Sequence, residues 1–85
     1  MPRVRRLILD ILKPHQPNAL EFAEAIAALG EGYRVDVKVT EVDEHTETLQ
    51  VRIEAESLDF EAIKTTIGEN GASLHSIDEV TVDGE

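Results

Sequence analysis

The feature that most constrains the fold is a pair of strictly alternating stretches separated by a short polar break. In "YRVDVKVTEV", Tyr33, Val35, Val37 and Val39 alternate with Arg34, Asp36, Lys38 and Thr40. After the polar residues "DEHTE", positions 43 to 47, Leu49, Val51, Ile53 and Ala55 alternate with Gln50, Arg52, Glu54 and Glu56. A period of two, broken by a few charged residues and then resumed, predicts two antiparallel strands joined as a hairpin, each with one buried face. Any fold for this chain must place a sheet with one apolar side at its centre.

The flanking segments supply the rest of that sheet and its cover. Residues 4 to 13, "VRRLILDILK", carry Leu7, Leu9 and Ile11 on one face of a strand and Arg6, Ile8, Asp10 and Leu12 on the other. Pro14 and Pro17 in "KPHQPN" stop the strand. Asn18 followed three residues later by Glu21 forms a capping-box pattern, and Phe22, Ala23, Ile26, Ala27 and Leu29 make the apolar stripe of a helix that Gly30 is placed to end. A second helix is predicted from Asp59, with Leu58 and Ile63 spaced as a hydrophobic staple, Phe60, Ile63 and Ile67 on one face, and a stop near Gly71. Residues 72 to 82, with Ile77, Val80, Thr81 and Val82, form the last strand.

The predicted order is β-α-β-β-α-β over a single domain, residues 1–85, the ferredoxin-like α+β arrangement. Right-handed crossovers put both helices on one face of a four-stranded antiparallel sheet of order 4-1-3-2. Leu7, Leu9, Ile11, Val35, Val37, Val39, Val51 and Ile53 are then expected to form the core with the helical stripes.

Charge and composition narrow the functions. Eighteen acidic residues against eight basic ones give a net charge of −10, which repels phosphate backbones and anionic lipid surfaces, so neither nucleic acid nor a membrane is expected as partner. The two central strands also lack the aromatic residues that RNA-binding sheets use for base stacking. Without cysteine, disulfides and thiolate chemistry are excluded. The early basic and apolar stretch is interrupted by Asp10 and has no small-residue cleavage site, so a cytoplasmic, soluble protein is expected. An acidic surface with only Lys13, Lys38 and Lys64 suits a high-salt cytoplasm, and an ordinary acidic protein equally.

Three places carry candidate chemistry. On the sheet face without helices, Ile8, Leu12 and Arg52 are expected in a homo-oligomer interface, because exposed apolar residues on a small domain call for a cover. In the "KPHQPN" loop, Lys13, His15 and Asn18 form an alternative site for a small anionic ligand of a regulatory module. In "LHSIDEV", His75 and Glu79 are expected on one face of the strand and Ser76 and Asp78 on the other, with Asp10 beside Asp78. Asp10, His75, Asp78 and Glu79 are thus candidate ligands for a hard cation, Ca²⁺ or Mg²⁺. A catalytic role for Ser76 is disfavoured, because adjacent strand residues point apart and His75 cannot easily serve as its base. A non-enzyme is expected.

"LILDILKPHQPNALEFAEAI" and "LHSIDEV" together resemble an archaeal family of short proteins known as domain of unknown function two-eleven. The resemblance covers essentially the whole chain. It implies a ferredoxin-like fold, a homo-oligomeric and ring-like assembly, and divalent cation binding. No activity comes with it, and the motif residues Asp10, Lys13, Pro14, His15, Pro17, His75, Ser76, Asp78 and Glu79 carry no assigned role.

Overall fold

The computed structural model describes residues 1–84. Its elements run β1 (Arg3–Pro14), α1 (Ala19–Ala27), β2 (Arg34–Val42), β3 (Thr46–Glu54), α2 (Phe60–Glu69) and β4 (Ser73–Asp83). The sheet order is β2-β3-β1-β4 and every neighbouring pair is antiparallel. This is the expected ferredoxin-like topology, with β1 and β3 central and β2 and β4 at the edges.

The helix starts follow from their caps. The Asn18 side chain accepts from the Glu21 backbone N–H at 2.8 Å, and the Asn18 N–H donates to the Glu21 carboxylate at 3.0 Å. Asp59 accepts from the Ala62 N–H at 3.1 Å, and its own N–H donates to the Tyr33 hydroxyl at 2.8 Å. That last bond ties the start of α2 to the chain entering β2. It needs Gly30, because a Cβ there would lie 2.7 Å from the Tyr33 ring. Helix α1 stops at Ala27, short of the expected Gly30.

Between helices and sheet, Phe22, Ile26, Ile63 and Ile67 pack on Leu7, Leu9, Ile11, Leu49, Val51 and Ile53, all buried. Each such side chain contributes about 1.5–3 kcal/mol when fully withdrawn from water. The expected core was too wide at one edge. Val35 and Val37 are only half-buried, and Val39 is 41% exposed. The reason is position across the sheet: Val35, Val37 and Val39 stand opposite Ile53, Val51 and Leu49, all fully buried, but they lie on the edge strand β2 with no further strand beside them. Valines on that edge stay partly in water.

Strand β4 departs most from a regular ladder. Ile8 pairs with Glu79 and Leu9 with Ile77, and Asp10 pairs with Ser76 and Ile11 with Leu74. Asp78 and His75 are therefore extra residues, two bulges within four positions.

Candidate functional site

The bulges rearrange the predicted cluster on β4. A regular strand would alternate His75, Ile77 and Glu79 against Ser76 and Asp78. Each extra residue resets that alternation. Glu79 instead lies opposite Ile8, and Ser76 opposite Asp10, both on the face without helices. His75 lines the same shallow hollow of about 260 Å³ as Asp10, Leu12 and Thr48. The expected division of His75 and Glu79 from Asp10 is thus corrected: all three border the open face.

Proximity on one face does not make a metal centre. Among the described residues, no three His, Asp or Glu side chains converge closely enough to hold a metal ion. Asp78 accepts from the Ser76 hydroxyl at 2.7 Å, and Glu79 is engaged by Arg6 at 3.3 Å. The Ser76 proton is directed at a carboxylate rather than an imidazole, so the pair lacks the geometry of an activated nucleophile.

The open face is knit by ion pairs across strands. Arg6 spans β1 to reach Glu54 on β3 at 3.6 Å and Glu79 on β4 at 3.3 Å. Arg52 meets Asp36 at 3.5 Å, beside Arg34 at the same distance. The candidate interface residues therefore differ in what they offer. Leu12 is 43% exposed, Ile8 is half-buried, and Arg52 is already paired. Larger apolar exposure lies on the edge strand, where Ile77, Val80 and Val82 are 46%, 51% and 50% exposed.

The candidate ligand loop turns inward. Lys13 has no solvent exposure, and its ammonium donates to the Pro14 carbonyl at 2.8 Å, the Pro17 carbonyl at 2.6 Å and the Glu47 carboxylate at 2.9 Å. Three donors meet three acceptors, which is what a buried ammonium requires. The other Glu47 oxygen lies 3.1 Å from His15 Nδ1, and His15 Nε2 lies 2.9 and 3.0 Å from the carbonyls of Asp43 and Glu44. The loop also contains a cis peptide between Gln16 and Pro17. With Asn18 spent on the helix cap, all three expected ligand residues are engaged within the chain. This Lys13–Glu47–His15 chain was not legible in the sequence, where positions 13 and 47 are far apart and Glu47 reads as part of a charged hairpin.

The electrostatics follow the contacts. Hydrogen bonding from Lys13, then from His15, holds the Glu47 carboxyl below its ordinary value. The Glu47 carboxylate, with the Glu44 carbonyl next, holds His15 above its ordinary value.

Comparison with known proteins matches residues 5–85 to the family model DUF211, described as "Uncharacterized ArCR". The chain belongs to the DUF211 family. It is also 42% identical over 80 residues to an uncharacterized protein of the archaeon Methanocaldococcus jannaschii, an alignment covering 94% of this chain and 82% of that protein. The resemblance to DUF211 carried by "LILDILKPHQPNALEFAEAI" and "LHSIDEV" is thereby shown. Among the described residues, no helix is long and apolar enough to cross a membrane.

Proposed function

We propose that this DUF211 protein is a non-enzymatic subunit that joins copies of itself, edge strand to edge strand, into a closed ring. The observation that carries this reading is the apolar row of β4, with Ile77, Val80 and Val82 about half exposed on an edge. Soluble proteins ordinarily blunt such edges.

The strand order says what fits there. Because β2 runs parallel to β1 and β4 runs antiparallel to it, a second copy placed beside the first presents its β2 antiparallel to β4. The antiparallel order of the strands then continues across the contact. A register that accommodates the bulge at Asp78 keeps apolar rows together, Ile77 and Val80 of one copy beside the Val35, Val37 and Val39 positions of the next. It also keeps Glu79 in the row of Arg34 and Lys38. Such a contact is head-to-tail, and it closes into a ring when the rotation at each step divides a full turn and runs on as a filament when it does not. On the other face of the sheet, Ile8 and Leu12 neighbour β4 and Arg52 neighbours β2, so they border the two sides of such a contact.

Uptake of Ca²⁺ or Mg²⁺ belongs to the same reading. Asp10, Asp78 and Glu79 offer hard oxygens, with His75 beside them, but the described residues of one chain do not close a site. The remaining ligands would come from the next copy or from water.

Mass measurement in solution at micromolar protein and molar salt tests the proposal. A discrete oligomer of fixed subunit number is expected, and a strict monomer sinks it. Chelation at constant ionic strength is expected to lower the melting temperature or break the oligomer. No response to the chelator removes the cation while leaving the assembly standing.

A further inference from the structure

We infer that His15 is a protonation-dependent latch holding the tip of the β2–β3 hairpin against the β1–α1 loop, closed while the imidazole carries both protons and released when it loses one. Donors and acceptors around the ring balance only when both nitrogens are protonated. Nδ1 faces a Glu47 carboxylate oxygen, and Nε2 faces the carbonyl oxygens of Asp43 and Glu44. Every one of these partners can only accept. A neutral imidazole has one N–H, so it leaves a lone pair pointing at an acceptor on one side of the ring.

Which side fails is also determined by the contacts. A carboxylate binds a proton donor more strongly than a neutral carbonyl does, so the remaining proton stays on Nδ1 beside Glu47. The Nε2 lone pair then confronts the two tip carbonyls. Asp43 N–H donates to the Thr46 carbonyl at 2.8 Å, and Thr46 stands opposite Pro14 in the β1–β3 ladder, so the part of the tip left for the latch to hold is residues 43 to 45.

The charges around the ring come from each packed element. Lys13 on β1 lies on the far side of Glu47 and opposes the imidazolium, while Glu47 on β3 favours it. On the tip, Asp43 and Glu44 add negative charge, and His45 lies 3.5 Å from the Glu44 carboxylate. On α1, the Glu21 carboxylate is held in the helix cap. With His15 raised above its ordinary value of 6.5 by these acceptors, release falls on the alkaline side of that value. The Lys13–Glu47 pair does not depend on the proton, so the loop keeps its shape while the tip is freed.

An NMR titration of the full chain from about pH 5 to 9 tests the latch, following the ring nitrogens of the three histidines and the backbone order of residues 43 to 45. Both His15 nitrogens are expected to be protonated at the acid end, with a midpoint above 6.5 and a loss of tip order at that midpoint. The transition is expected to persist in His45→Asn and to vanish in His15→Asn, whose tip is loose throughout. Tip order that stays constant through the His15 midpoint, or a midpoint at or below 6.5, overturns the latch. Both readings come from the unmodified chain, so a variant that fails to fold does not spoil the test. The outcome is independent of ring assembly.

Discussion

Lys13 and Glu47 meet 2.9 Å apart at the point where β1 leaves the sheet, and the lysine of the pair has no solvent exposure at all. A buried ammonium this completely satisfied acts as an internal bracket. It holds the Pro14 and Pro17 carbonyls on one side and the first turn of β3 on the other.

Removing that ammonium strands three acceptors. Lys13→Met keeps the stem but leaves two carbonyls and a carboxylate without their donor, and stability is expected to fall by about 2–4 kcal/mol. Urea unfolding checks this. A loss under roughly 0.5 kcal/mol, the range of ordinary surface substitutions, would show that water replaces the lysine at little cost.

Stability is expected to pass through a maximum in mildly acid solution. Glu47 has a folded pKa below its unfolded value of 4.5, so its contribution is present above 4.5 and disappears as pH falls through the folded value. His15 has a folded pKa above 6.5, so its contribution is complete below 6.5 and is lost as pH rises through the folded value. Urea midpoints measured against pH are expected to decline on both sides of that window, and His15→Asn is expected to flatten the alkaline limb alone. An alkaline limb unchanged in the variant would assign it to another group.

A charge on the apolar edge is expected to separate assembly from folding. Ile77→Lys and Val80→Lys place a solvated cation on half-exposed positions of β4, where the folded chain loses little and an edge-to-edge contact loses its apolar row. Sedimentation is expected to show a smaller species with an unchanged circular dichroism spectrum. An oligomer that survives both substitutions would move the contact away from β4.

Two substitutions test the ends of the helices. Asn18→Ala removes the capping box of α1 and is expected to cost about 1 kcal/mol. Gly71, beyond the end of α2, has φ +76°, and a Cβ there would make only an ordinary 3.6 Å contact with Pro14. Gly71→Ala is therefore expected to cost about 1 kcal/mol through its backbone conformation rather than through a clash. Thermal unfolding of both variants checks the pair, and no loss in Gly71→Ala would mean that the turn re-forms without a left-handed residue.

Local patterns predicted the fold well because each element announces itself within a few residues. The alternation around residues 43 to 47, the Asn18 and Asp59 caps and the Leu58–Ile63 staple are short-range signals that agree on one topology. The site was less legible because it depends on register. Nothing in "LHSIDEV" distinguishes a regular strand from one with His75 and Asp78 as extra residues, since a bulge is set by pairing with β1. Lys13 likewise follows the apolar run of β1 with no local sign of burial. Only the return of β3 brings Glu47 to it.

The bulges at His75 and Asp78 also bear on which neighbours the edge will accept. A flat edge strand is an open template that any stray extended segment can lengthen, the route by which sheets aggregate. With two extra residues in four positions, β4 offers its outer hydrogen-bonding groups in an uneven rhythm that a regular strand cannot follow along its length. On the opposite edge, β2 has an irregularity of its own between Val39 and Glu41. Both margins of the sheet thus break the even spacing that a chance extended segment would need to add itself along them.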